Sequence, residues 1–377
     1  MNELDSAIRD AGAAAYVAYG SSVDADVRYL TRFRTGDPVV YIKKLDERGI
    51  LIIPQMEHER AVRESIAAVV TRADAGYLEY IKAGESRWRA AAHMIADLAA
   101  GPVLAPATFP LALARELESF NPVILDGAGT VGRMRAVKTP DEIEQIRSVQ
   151  RATEEAMERG IALIRGSTPK GGILYRDGQP LTAEAVRTEI HIHLLTRGCR
   201  GADTIVSCGP DTALPHNLGT GPLLEDEPIV IDIFPQDELS GYYADMTRTV
   251  AKGEPSPDIR DMYEAVRDAK ALGASGVRAG VTGADLYRAV VEYFSDHGYE
   301  SGTQQGFIHS LGHGVGLEVH EEPSLGPGGG ALDAGNVITI EPGLYYPGIG
   351  GVRLEDMGAV RETEFDRFTQ YEEELTI

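Results

Sequence analysis

Along the first 125 residues, short apolar runs alternate with segments whose apolar positions recur three and four apart. Residues 13–19, 39–42 and 49–53 read as strands, the last two joined by the polar turn 43–48. Residues 58–70 and 88–100 have helical spacing, and a strand at 102–105, a helix at 111–120 and a strand at 123–125 follow. This predicts an α/β domain over residues 1–132, ending in a glycine-rich break at 127–132. A helix then starts with Thr139 as N-cap, Pro140 at its first position and Glu142 at its third, and runs to about residue 163. A second helix, capped by Thr182 with Glu184 in its first turn, ends near residue 196. Strands at 204–207, 229–234 and 246–250, helices near 258–272 and 282–297, and a tail of strands and glycine-rich loops complete an α+β domain over residues 133–377. No internal repeat is visible by eye.

Four acids interrupt this pattern. Asp232 follows Ile229-Val230-Ile231, and Asp245 closes Gly241-Tyr242-Tyr243-Ala244. Glu341 ends Val337-Ile338-Thr339-Ile340, and Glu355 ends Gly351-Val352-Arg353-Leu354. A buried carboxylate without a counter-charge is costly. Any one of them alone would read as a solvated strand residue or an ion-pair member. Strand alternation, however, puts Tyr243, Asp245 and Thr247 on one face, Val337, Thr339 and Glu341 on another, and Arg353 beside Glu355. A hairpin through residues 236–241 would pair the two aspartates, and a second through 342–351 the two glutamates. His309, His313 and His320 cluster nearby, within twelve residues. The His309/His313 spacing is that of a helical zinc site, but Ser310 stands where such a helix needs Glu. Gly312, Gly314 and Gly316 point to a loop or strand edge instead. Four carboxylates and one imidazole call for two divalent cations, whose four charges balance the acids.

The net charge of −22 disfavours nucleic acid and anionic membrane as partners. Seven Lys against 29 Arg in so acidic a chain fits a halophilic protein of a high-salt cytoplasm; an ordinary acidic protein is the alternative. Two cysteines, Cys199 and Cys208, make no disulfide framework. With no leader-like N-terminus and no long apolar run, a cytoplasmic location is expected. Residues 127–132 fit G-x-G-x-x-G, but Pro140 restarts a helix and no acid-tipped strand follows, so a linker is the better reading.

In order, Pro215-His216, Asp232, Ala244-Asp245-Met246-Thr247-Arg248-Thr249, Gly312-His313-Gly314, His320-Glu321-Glu322-Pro323, Ile340-Glu341-Pro342-Gly343 and Arg353-Leu354-Glu355-Asp356 resemble the motifs of M24 metallopeptidases. Within that group the chain is similar to Xaa-Pro dipeptidases (prolidases) and Xaa-Pro aminopeptidases. The resemblance implies a creatinase-like N-terminal α/β domain and a pita-bread catalytic domain. It also implies a homodimer, and a peptide substrate with proline at the second position, cleaved through a water between two metals (Mn, Co or Zn). By position, Asp232 would hold one metal, His313 and Glu341 the other, and Asp245 and Glu355 both. Glu341 would shuttle the proton, and His216 and His320 would stabilise the oxyanion. His309 would line the pocket and Arg353 would orient Glu355. Ser324 stands where some prolidases carry an Arg that clasps a dipeptide's carboxylate, which favours longer peptides. Asp232-Ile233-Phe234 departs from the common Asp-x-Gly. Two rivals are a metal-dependent lyase or hydrolase on the same fold, and a metal-free binding module. Retention of all five ligand positions speaks against the second.

Overall fold

In the computed structural model, which describes residues 3–377, the chain divides into two units, Met1–Arg135 and Ala136–Ile377. The first is built on a six-stranded sheet. From one edge its strands are Ala68–Thr71, Ile50–Ile53, Val39–Lys44, Ala15–Gly20, Val103–Ala105 and Val123–Leu125. Ala15–Gly20 runs antiparallel to Val39–Lys44 and parallel to Val103–Ala105. Its alternate residues serve two separate cores: Tyr16 and Ala18 pack with Leu4, Ile8 and Leu30, while Ala15 and Val17 pack with Ile95, Met94 and Leu113. Coverage of both faces explains why these strands read as unbroken apolar runs.

Three local expectations fail for identifiable reasons, two in the first unit and one in the second. The helix expected over 58–70 stops at Glu64, and Ala68–Thr71 is a strand parallel to Ile50–Ile53. Ser65 breaks the helix: its hydroxyl donates to the Thr31 carbonyl at 2.8 Å and accepts from the Ala67 amide at 3.1 Å. The β-branched Val69, Val70 and Thr71 then favour a strand. Residues 127–132 are not simply a break, because helix Thr130–Ala136 begins within them. The Asp126 carboxylate caps it, accepting from the Thr130 amide at 2.8 Å and its hydroxyl at 3.1 Å. Finally, a small sheet of Thr168–Lys170, Ile173–Arg176 and Gln179–Pro180 lies where no strand was expected. Its turns, Gly171-Gly172 and Asp177-Gly178, all have positive φ, the signature of two-residue hairpins.

The second unit starts with helix Pro140–Arg165, where Thr139 and Glu142 form the expected capping box. Its elements fall into two similar sets. Helices Pro140–Arg165 and Ala183–Thr196 are followed by an antiparallel sheet of Ile205–Cys208, Ile229–Ile233 and Met246–Val250. Helices Pro257–Gly276 and Gly283–Asp296 are followed by a five-stranded sheet that contains His313–Gly314, Val337–Ile340 and Asp356–Val360. The latter helices bury Val266, Val290 and Phe294 against Leu311, Ile338 and Ile340. This doubling of helix pair and acid-bearing sheet left no trace readable by eye in the sequence. None of the helices described is long and apolar enough to cross a membrane.

Candidate metal centre

Strand register decides where the four acids stand. Ile229–Ile233 pairs with Met246–Val250 so that Asp232 faces Thr247. Asp245 is two residues before Thr247 and shares its face, so the aspartates meet on a diagonal rather than directly opposite. The glutamates do stand opposite. The Val337–Ile340 ladder ends at Ile340 facing Asp356, and the Gly343–Tyr346 ladder ends at Gly343 facing Arg353. Glu341 and Glu355 fill the break between the two ladders, their amides donating to Leu311 O at 2.8 Å and Thr247 O at 3.0 Å.

All nine candidate residues (His216, Asp232, Asp245, His309, His313, His320, Glu341, Arg353 and Glu355) line one pocket of about 640 Å³. Donor atoms of Asp245, His313 and Glu355 lie within 4.8 Å of one another. His313 donates from Nδ1 to the Gly314 carbonyl at 3.1 Å. Its Nε2 lone pair therefore faces Glu341 Oε1 at 3.4 Å and Asp245 Oδ2 at 3.7 Å. Glycine on each side of His313 is a matter of space. A Cβ on Gly312 would sit 2.1 Å from Thr339 O, and one on Gly314 2.2 Å from Glu322 O.

Arg353, only 3% exposed, is the sole Lys or Arg of the lining among the described residues. It donates to Asp232 Oδ2 at 2.6 Å, Tyr345 Oη at 2.9 Å, Thr247 Oγ1 at 3.2 Å and Pro215 O at 3.2 Å. Its direct carboxylate partner is Asp232. It reaches Glu355 only through Thr247, whose hydroxyl donates to Glu355 Oε2 at 2.9 Å. Tyr345 is a site residue that the sequence does not announce, since nothing in Leu344-Tyr345-Tyr346 distinguishes it from a core aromatic. Its buried hydroxyl links Arg353 to His309 Nε2 at 3.0 Å. His309 Nδ1 contacts Ser310 O at 2.7 Å, so both ring nitrogens are engaged. Phe234, which replaces the usual glycine two residues after Asp232, also lines the pocket, as does Asp203, for which the sequence gives no signal. His216 and His320 sit at its exposed side, with the His320 ring 4.2 Å from that of His313.

One guanidinium does not balance four carboxylates, and the titration behaviour reflects the deficit. Burial, then Glu355, drives the Asp245 pKa well up. Burial, then Glu341, does the same to Glu355. Burial lifts Glu341 to about 8 although Arg353 pulls it down. The imidazoles move the opposite way: burial, then His320, lowers His313 to about 3, and burial, then Arg353, lowers His309 to about 4. Asp232 Oδ1 and Glu355 Oε1 are buried with no hydrogen-bond partner. Orphaned anionic oxygens around a neutral imidazole fit hard divalent cations.

The sequence profile described as Metallopeptidase family M24 matches residues 144–362, more than half of the chain. The Xaa-Pro dipeptidase of Pyrococcus furiosus is 34% identical over 69% of this chain and 69% of its own length. Among solved structures, the Xaa-Pro dipeptidase from Bacillus anthracis superposes with a TM-score of 0.85 at 25% identity, over 100% of this chain and 98% of that one. The X-Pro aminopeptidase from Thermotoga maritima does so at 0.81 and 25%, over 99% and 100%. The expected pita-bread fold with a preceding α/β domain is therefore present. With its acid-bearing strands, its His313 loop and a matched span that holds every one of the nine candidate residues, the chain belongs to metallopeptidase family M24.

Proposed function

We propose that this protein hydrolyses the bond between an N-terminal residue and a following proline in short peptides, with two divalent cations held by Asp232, Asp245, His313, Glu341 and Glu355. The observation that carries the metal reading is the convergence of four carboxylates, three of them buried and Glu341 half-buried, in a pocket with a single arginine, with two of their oxygens orphaned. Proline selectivity rests on the relatives named as Xaa-Pro dipeptidases and X-Pro aminopeptidase. Cations bound here would lower the pKa of a water and polarise the scissile carbonyl. Mn, Co and Zn all suit this donor set.

The protein's own groups supply the rest. Glu341, whose Oε1 lies 3.4 Å from His313 Nε2 in the pocket, is the carboxylate we assign to proton transfer. It would take the proton of the attacking water and pass it to the proline nitrogen, which leaves poorly unprotonated. His216 and His320, at the open side, are placed to hydrogen-bond the carbonyl oxygen as it gains charge. Ile205, Leu218, Phe234, Ile308 and Val319 offer an apolar wall for the proline ring. Among the described residues no lining Lys or Arg is available to a free carboxylate after proline, since Arg353 is buried and spent on Asp232, Tyr345, Thr247 and Pro215. Ser324 lies outside the lining. We therefore favour peptides longer than two residues, in a cytoplasmic homodimer.

The test is to strip the protein with chelator, restore Mn²⁺, Co²⁺ or Zn²⁺ separately, and offer Ala-Pro, Ala-Pro-Ala, Ala-Pro-amide and Ala-Ala-Ala. Metal-dependent cleavage confined to proline peptides is expected. No cleavage of any of them would remove the proposal. Asp245→Asn should abolish both metal uptake and turnover, and full activity in that variant would contradict its assigned place between the cations.

A further inference from the structure

The strands that carry the metal acids have a second, buried polar side. Strand alternation turns Arg248 away from Asp245 and Thr247, and Asp356 away from Glu355. Arg248 is 2% exposed, among the largest fully buried side chains. A guanidinium has five N–H donors, and here each finds an acceptor. Nη1 donates to Thr247 O at 2.9 Å and to Glu355 O at 2.7 Å. Nη2 donates to Asp356 Oδ1 at 2.9 Å and Tyr371 O at 2.8 Å, and Nε to Glu372 O at 3.1 Å. Lys270 continues the cluster, bridging Asp356 and Glu373 Oε1, the latter at 2.6 Å. Arg248 thereby spans three segments: the Asp245 strand, the Glu355 backbone and the last residues of the chain.

Those last residues are held by backbone bonds as well as by the Glu373 ion pair and the packing of Leu375 against the core. Ala251 N donates to Leu375 O at 2.6 Å, and Ile377 N to Ala251 O at 3.0 Å. The Tyr371 hydroxyl adds one bond to Glu158, at 2.5 Å. A cavity of about 190 Å³ lies between Arg248, Tyr371, Glu372 and Ile377, so side-chain packing alone does not fasten the tail there. Two of the five acceptors of Arg248 come from this tail. Without them a buried cation would have two unsatisfied donors and reason to move. Any movement would be felt at Thr247 and Glu355, whose mutual bonds, main-chain at 3.0 Å and side-chain at 2.9 Å, set the distance between the Asp245 and Glu355 strands.

We propose that Arg248 is a positioning residue for the carboxylates Asp245 and Glu355, and that residues 371–373 at the C-terminus lock it in place. This rests on the reading of the pocket as a metal centre. Among the described residues, none from the tail lines the substrate pocket, so its influence is on cation geometry rather than on peptide binding.

The probe is cobalt(II) added to metal-free protein, read by visible absorption and by calorimetry alongside thermal melting. Wild-type protein should bind it. A chain ending at Gln370, and Arg248→Lys, which keeps the charge but loses the fork, should bind it about 10–100-fold more weakly, as losses of outer-shell partners do, with a shifted spectrum. In both, kcat should fall while KM for Ala-Pro-Ala stays. Tyr371→Phe removes a hydroxyl but no carbonyl and should behave as wild type. If the shortened chain does not fold, Arg248→Lys decides. Unchanged cobalt affinity and spectrum in folded variants would overturn the inference while leaving the metal reading intact. A wild-type protein that binds no cobalt would instead overturn the metal reading itself.

Discussion

Replacing Arg353 by methionine tests the electrostatics of the pocket most directly. The substitution keeps much of the volume and removes one charge from a site only 3% exposed. It deletes the 2.6 Å contact to Asp232 and strips Tyr345 and Pro215 of their donor. Breaking a buried ion pair by removing one partner costs about 3–5 kcal/mol, mostly from the charge left behind. For a domain of some 150–250 residues each kcal/mol moves the melting point by about 2–4 °C. Ala136–Ile377 is of that size, so the metal-free variant should melt roughly 6–20 °C lower. Arg353 also draws the Glu341 carboxyl down from where burial would put it, so its loss should raise that pKa further. The assay is thermal unfolding in chelator, followed by circular dichroism, for Arg353→Met, Asp232→Asn and the double variant. The double variant should recover at least about 1 kcal/mol of the sum of the singles, because removing both partners leaves no stranded charge. A single variant that melts with wild type, or strict additivity, would refute the reasoning.

Further outcomes follow from the same groups. Glu341 has a folded-state pKa raised to about 8, and Asp245 and Glu355 are raised in the same sense. Their contribution to metal-free stability is therefore full below the ordinary carboxylate range and is lost as pH rises toward 8. Denaturant midpoints in chelator should be lower at mildly alkaline than at mildly acidic pH, and a flat or inverted profile would count against these burial effects. Tyr345→Phe removes the hydroxyl between Arg353 and His309 and should cost about 1–3 kcal/mol of stability, with kcat/KM reduced. Unchanged values for both would show that this link is idle. At a net charge of −22, melting temperature should climb with KCl as self-repulsion is screened, and equal stability without salt would sink the halophilic reading.

Much of the candidate metal centre is legible in the sequence because burial and charge conflict there in a way that a single chain displays. An apolar run that ends in an acid is costly to bury unless a cation joins it, and the pattern recurs at Asp232, Asp245, Glu341 and Glu355. Period-two alternation already places Thr247 and Thr339 beside them. The aspartates' diagonal offset is not legible, because pairing register depends on the loop between the strands. Nor is Tyr345, whose role comes from meeting Arg353 and His309 across the fold. At residues 65–71 helix and strand cannot be separated by apolar spacing in so short a segment, and the side-chain bonds of Ser65 decide for a strand. The hairpins at 168–180 do have a local signal, since Gly171-Gly172 and Asp177-Gly178 are among the commonest two-residue turns, but the outer strands Thr168–Lys170 and Gln179–Pro180 are short and polar, and the central Ile173–Arg176 is only four residues long.

The orphaned oxygens of Asp232 and Glu355, together with the raised carboxyls, bear on how this protein would exchange protons with its surroundings. In metal-free protein, burial favours the acid form of Asp245, Glu341 and Glu355, and a cation would have to displace those protons to coordinate the oxygens. Metal uptake would then acidify the medium, and its measured heat would depend on the ionisation enthalpy of the buffer. Apparent affinity would drop about tenfold per pH unit for each proton displaced. Mild acidification would thus weaken cation binding at this site.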